Sequence, residues 1–308
     1  MKKIRRHTRR LKDFINEDIW KIELEELSRA KARFIKYMKI LLITIRTFSA
    51  EKIGFQAVAL SFFSTMSVVP FIAIVFAITG GLGLADKLQE FLYGYFENSQ
   101  QVVEFIIGSA RNIIDSSQGG GMGAVSALLF VWIVVWMMLS VERVFNNVWK
   151  VTKNRNIFKR LSYIIAMLII APFVIMVFFS GNIFYTNVLE LLGLDSEQLG
   201  LFKTLIAWLI FGVIVTFTFS AMYKFIPNAE VEYKEALRAS IPAAIAFTAM
   251  NYLYLETQLL VTRLNAVYGV FAAVPLFMIW INVGWYIILI GSELSYAFQH
   301  VENYNIDD

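Results

Sequence analysis

Cysteine is absent from the 308 residues, and histidine occurs twice, as His7 and His300 near opposite ends. Without thiols there are no disulfides, zinc ribbons, iron–sulfur clusters or cysteine nucleophiles. Charge is scarce too: 17% of residues are Asp, Glu, Lys or Arg, against about 25% in a soluble globular chain. The sequence contains no Walker loop, so no ATP hydrolysis of its own is expected. HExxH, a Gly-x-Ser-x-Gly elbow and any His/Asp/Glu cluster at metal-ligand spacing are missing as well. Ser61 and Ser64 lie about one helical turn apart with no histidine near to activate them. The expectation is a chain with no catalytic residues, no metal and no cofactor.

What is there instead is apolar: 58% of residues are hydrophobic and 15% aromatic, with a mean hydropathy of +0.61. The excess sits in blocks almost free of ionised side chains. A hydrocarbon core of about 30 Å takes roughly 20 residues of helix, since lipid offers backbone groups no partner outside their own helix. Six segments qualify: Ala57–Thr79, Gly123–Val141, Leu161–Ile183, Thr204–Tyr223, Ser240–Gln258 and Val270–Ser292. The fifth is the most polar, carrying Asn251 and ending near Glu256. The expected fold class is all-α: a polytopic membrane protein with six transmembrane helices, plus amphipathic helices at the N-terminus and in the first outer loop. Its expected division is a basic N-terminal segment 1–53, a membrane domain 54–298 with outer helices in 85–118, and a short tail 299–308.

The basic residues are distributed unevenly. Fifteen of the 28 precede the first span, six lie between spans two and three, and three between spans four and five. The opposite loops hold four, namely Lys87, Arg111, Lys203 and Arg263. Twenty-four against four predicts both termini on the cytoplasmic side of a multi-pass protein in the bacterial inner membrane. A cleavable leader is not expected, because a long charged stretch comes before the first span.

That stretch is itself patterned. Leu27, Phe34, Leu41 and Phe48 recur every seven residues, with Leu24, Met38 and Ile45 beside them, while Lys31, Lys36, Lys39 and Arg46 lie off the stripe. It reads as a basic amphipathic helix at the headgroup layer, with anionic lipid headgroups as partners. The run Lys2-Lys3-Ile4-Arg5-Arg6 fits the same anchoring role, and no nucleic-acid partner is expected. From Ala85 to Gln118 apolar residues recur at helical spacing and break near Asn98-Ser99, predicting two amphipathic helices. The glycines from Gly119 to Gly123 read as a hinge before the second span.

Polar groups inside a membrane are expensive, so they are the candidate functional residues. At the cytoplasmic end of span two, helical spacing puts Glu142 and Asn146 on one face, and Arg143 and Asn147 on the next. Glu293 ends span six on the same side and is expected to meet Arg143 or Lys224; Asn228 follows in the loop after span four. Either these groups fix helix ends or they form a polar gate. A second set, Asn251, Glu256, Arg263 and Asn265, falls near the outer connection of spans five and six. Asn282 lies mid-span, where a bond to a neighbouring helix is favoured over a substrate contact. Pro70, Pro172, Pro242 and Pro275 each permit a helix kink. Trp280 is expected inside the bundle, and other tryptophans, Trp149 among them, near the interfaces.

Four blocks together resemble the YihY/BrkB family of bacterial inner-membrane proteins. They are Ala57-Val-Ala-Leu-Ser-Phe-Phe-Ser-Thr-Met-Ser-Val-Val-Pro70-Phe; Glu142-Arg-Val-Phe-Asn-Asn-Val-Trp149; Tyr223-Lys-Phe-Ile-Pro-Asn228; and Tyr268-Gly-Val-Phe-Ala-Ala-Val-Pro-Leu-Phe-Met-Ile-Trp280 running on to Leu289-Ile-Gly-Ser-Glu293-Leu. They occur in the family's order over roughly residues 40–298, with Ser292 standing where alanine is more usual. The resemblance implies an envelope or transport role and brings no catalytic residues with it. The family once carried the label ribonuclease BN. A metal-dependent nuclease needs carboxylates or histidines converging on metal ions, and no such set is present.

The expected function is therefore a transporter or lipid or solute translocator of unknown substrate without its own ATPase. The alternative is a non-transporting membrane scaffold or envelope-integrity protein acting through its basic N-terminal helix. Six spans enclose a pathway in a monomer, or supply half of one in a homo-oligomer.

Overall fold

The computed structural model describes residues 18–22, 27–95, 100–117, 120–153, 155–170, 200–264, 266–302 and 304. The described residues are helical with no strand. After a 3₁₀ turn at Asp18–Lys21 come α1 (Arg29–Ala50), α2 (Ile53–Gly81), α3 (Ala85–Tyr95), α4 (Gln100–Ser117) and α5 (Gly120–Val148). Then follow α6 (residues 157–170), α7 (Gly200–Phe225), α8 (Tyr233–Leu264) and α9 (Ala266–His300).

Four of the described helices hold segments long and apolar enough to cross a membrane: Ile53–Gly81, Val125–Val148, Trp208–Phe225 and Pro275–His300. They match the first, second, fourth and sixth expected spans. The helix over 157–170 covers the start of the third, whose remainder, with Pro172, lies outside the described residues. α8 runs unbroken through the fifth for 32 residues but carries Lys234, Glu235, Arg238, Asn251 and Glu256, which lower its hydropathy. Pro70, Pro242 and Pro275 lie inside continuous helices. Large apolar side chains such as Phe62, Leu128, Trp132, Leu209 and Phe217 stay exposed around the bundle. Such faces suit lipid, where apolar side chains need no cover.

α9 is the hub, packing on α8, α2, α1, α5 and α7. Its seam with α2 is laced by two bonds from mid-span: Asn282 Nδ2 donates to Ser61 Oγ at 3.1 Å, and Trp285 Nε1 to Ser64 Oγ at 2.9 Å. The mid-span asparagine thus bonds a neighbouring helix, with Ser61 as its acceptor and Ser64 as that of Trp285. Trp280 sits inside, stacked on Tyr254 and Phe277 with centroids 5.3 and 5.8 Å apart. Trp149, expected at an interface, is buried edge-on against Tyr296 at 5.7 Å.

Two expectations change in detail. α1 buries a face other than the expected stripe: Ile40, Ile43, Thr44 and Thr47 are buried, while Phe34, Leu41 and Ile45 of the stripe are exposed. The reason is α9, whose end claims one side of the helix. Lys39, expected off the stripe in water, is buried under the 3₁₀ turn, where its amine donates to the Ile22 carbonyl at 3.1 Å; burial lowers its pKa. The glycine run is not a hinge ahead of α5: Gly120 onward forms its first turn. The two amphipathic helices do appear, as α3 and α4, joined through residues 96–99. Leu88, Val103 and Ile107 from them cluster with Val75 and Phe76 of α2.

Candidate functional site

The end of the bundle opposite α3 and α4 gathers the basic loops. There α5 stops because Lys150 turns left-handed, with a φ of 50°, and the Val151 amide donates to the Asn146 carbonyl at 2.8 Å. The chain then passes Arg155 and Arg160 back over the helix it has just left.

Glu142 is the centre of this return. Its side chain is 2% exposed; Arg160 Nε donates to its Oε2 at 2.7 Å, and Arg155 Nη1 lies 3.7 Å from Oε1. A buried carboxylate is tolerated only when paired and hydrogen-bonded in this way. Arg155 reaches further, its Nη2 donating to the carbonyls of Phe225 and Pro227, each at 3.1 Å. Its guanidinium also lies 4.4 Å from the Tyr163 ring centre. One side chain therefore ties the ends of α5 and α7 to the start of α6.

The loop after α7 is held from two more directions. Asn146 Oδ1 accepts the Asn228 amide at 2.7 Å, and Asn228 Nδ2 donates to the Lys153 carbonyl at 2.9 Å. Lys224 turns to the Val231 carbonyl within its own loop. Gln299 of α9 clamps the far side, accepting from the Glu232 amide and donating to the Glu230 carbonyl, both at 2.9 Å.

Arg143 stands apart from this network. It is exposed and has no ion-pair or hydrogen-bond partner among the described residues. It lines a cleft of about 490 Å³ between α2 and α5, with Gln56, Asn146 and Asn147 as the other polar walls. Ala59, Leu60, Phe63 and Val144 supply an apolar wall beside them. A cationic fork next to amides and an apolar face suits an amphiphile with an anionic head.

The structure brings the candidates Glu142, Asn146 and Asn228 to one network of bonds and puts Arg143, Asn146 and Asn147 on one cleft. Glu293 departs from its expectation. It is fully buried at the α1 side of α9, and neither carboxylate oxygen has a hydrogen-bond partner among the described residues, Arg143 and Lys224 included. Of the second candidate set, Asn251 is buried and Glu256 exposed on α8, Arg263 lies on the same helix, and Asn265 is outside the described residues. Arg155, Arg160 and Gln56 were not singled out by spacing. A carboxylate inside an apolar helix demands a cation, and the arginines soon after it were the signal available.

No solved structure matches the chain. A UPF0761 membrane protein of Janthinobacterium sp. (strain Marseille) is 27% identical over 279 residues, 83% of this chain and 59% of that protein. One of Azotobacter vinelandii is 27% identical over 274 residues, 86% of this chain and 64% of that protein. One of Mannheimia succiniciproducens is 25% identical over 263 residues, 80% of this chain and 85% of that protein. The chain spans about three-fifths of the length of the first two of these relatives. The family model for Virulence factor BrkB matches residues 44–308, which takes in every motif described above. The helices, the motifs in their order and this match agree: the chain is an integral membrane protein and belongs to the BrkB virulence-factor family.

Proposed function

We propose that this protein moves an amphiphile with an anionic head, a phospholipid or a lipid-like solute, across the bacterial inner membrane without an ATPase of its own. In this reading six helices span the bilayer, with α8 and the segment beginning at α6 completing the set. Both termini are cytoplasmic, as the ratio of 24 basic residues to four supports. The Arg143 cleft is then the inner entrance.

The observation that carries the reading is the unpaired guanidinium in a cleft with one polar and one apolar wall. Arg160 and Arg155, further along the chain, are both engaged: the first hydrogen-bonds Glu142, and the second lies beside it and donates to the Phe225 and Pro227 carbonyls. A structural arginine would have been paired like them. Glu142, by the same contrast, holds the fold and does not contact the amphiphile.

The test is lipid movement in liposomes. Purified protein is reconstituted with a fluorescent phospholipid, and inner-leaflet dye becoming accessible to an impermeant quencher is followed. Wild type should accelerate exchange. Arg143→Gln should slow it about tenfold, the loss of one charge-assisted hydrogen bond, at unchanged melting temperature. Wild-type protein without effect on exchange, or a variant as fast as wild type, contradicts the reading.

A further inference from the structure

α9 and α1 pack antiparallel at the basic end with a regular register. Ile40, Ile43, Ala297 and Val301 form a dry seam. One turn further along, the same two stripes continue with Thr47 on α1 and Glu293 on α9. Glu293 is fully buried, and both of its carboxylate oxygens lack a hydrogen-bond partner among the described residues. The flanking hydroxyls of Ser292 and Ser295 are buried and unpartnered as well.

Unsatisfied buried polar groups in a packed protein need an explanation, and a bare carboxylate most of all. Among the described residues no cation forms an ion pair with it. Glu51 and Lys150 act on it, as does Thr47 beside it. The Lys150 amine is taken up over the rings of Tyr296 and Tyr304, at 5.8 and 6.0 Å. Arg46 lies over the Trp20 ring at 5.5 Å. From the other elements, Glu142 of α5 is held by Arg160 and Glu235 of α8 by Arg238. α7 offers Tyr223, α2 carries no charged side chain, and His300 lies two turns along α9. Thr47 Oγ1 donates to the Ile43 carbonyl at 2.7 Å, so it presents lone pairs toward Glu293. An acceptor facing a carboxylate is satisfied only when a proton sits between them.

We propose that Glu293 is a proton-binding site in the α1–α9 seam, occupied when α1 is seated and emptied to water when α1 lifts. The step is a single proton transfer. The carboxylate takes a proton from water at the basic end, its O–H donates to Thr47 Oγ1, and release returns the proton to water. The exposed Phe34, Leu41 and Ile45 leave the outer face of α1 open, and its largest contact with another helix is the seam with α9. Ser292 and Ser295 would meet water on opening. The site stands on the seam and is independent of the Arg143 cleft.

The test is the infrared spectrum of the full chain in lipid nanodiscs at neutral pH, which reads protonation without reference to lipid movement. Wild type should show a protonated-carboxyl C=O band that is lost in Glu293→Gln. In Thr47→Val the band should move upward in frequency, because its hydrogen-bond acceptor is gone. A wild-type spectrum without that band overturns the proposal, whatever the variants do. If Glu293→Gln does not fold, Thr47→Val decides: an unshifted band in the folded protein also overturns it.

Discussion

The two ends of this molecule are held together by different physics. At the basic end, Glu142, Arg155, Arg160, Asn146 and Asn228 form bonds between residues as far as 82 apart in sequence. At the other end, α3 and α4 rest on α2 through Leu88, Val103, Ile107, Val75 and Phe76, an apolar cluster. Hydrogen bonds from a buried charge fix position to within tenths of an ångström, whereas apolar contacts tolerate sliding. The rigid end therefore can frame a site of defined shape, and the other end suits a cover.

This contrast can be broken most severely at Glu142. Glu142→Ala leaves two arginines facing each other without their carboxylate and should cost about 3 kcal/mol. The check is thermal unfolding in detergent, with loss of folded yield as the companion sign. Next comes the α7–α9 contact. A Cβ on Gly291 would fall against the Tyr223 hydroxyl and 2.8 Å from Ala243 Cβ, and both neighbours are buried. Gly291→Ala should therefore destabilise by about 2 kcal/mol through overpacking, read in the same unfolding experiment.

The apolar end should respond more gently. Ile107→Val removes one methylene from the α2–α4 cluster and should cost about 1 kcal/mol. Hydrogen exchange along α3 and α4 would report it as faster local opening while global unfolding stays put. Smallest of all is the exposed pair Lys36–Glu302 at 2.6 Å, linking α1 to the chain after α9. The Lys36 ammonium holds the Glu302 carboxyl below its ordinary value of 4.5. Because the folded value is the lower one, the contribution is present above about pH 4.5 and is lost as pH falls through the folded value. It should amount to about 0.5 kcal/mol and fade with salt. A melting curve of Glu302→Gln that parallels wild type at high ionic strength would fit this.

Much of the fold is legible from periodicity. The apolar blocks locate the four described helices long and apolar enough to cross a membrane, and the periodicity of apolar residues finds α1, α3 and α4. Asn282 was readable because a mid-span amide has few ways to be satisfied other than a neighbouring helix. What spacing misses is tertiary. Glu142 finds its partners 13 and 18 residues on, beyond a left-handed turn, where i to i+4 logic has no reach. The same limit misplaced Glu293, since which side of α9 meets α1 is decided by the Ile40 and Ile43 seam. The face of α1 that carries Ile40 and Ile43 was missed for the same reason. The Arg143 cleft was legible as residues but not as a cavity, because Gln56 and Phe63 come to it from α2.

The most direct test of the account is a density map of the protein in nanodiscs containing an anionic phospholipid. The account predicts a headgroup ordered against Arg143 and Asn147, its chains along Phe63 and Val144, and its loss in Arg143→Gln. A cleft that closes dry, or one that fills equally well in Arg143→Gln, would contradict it.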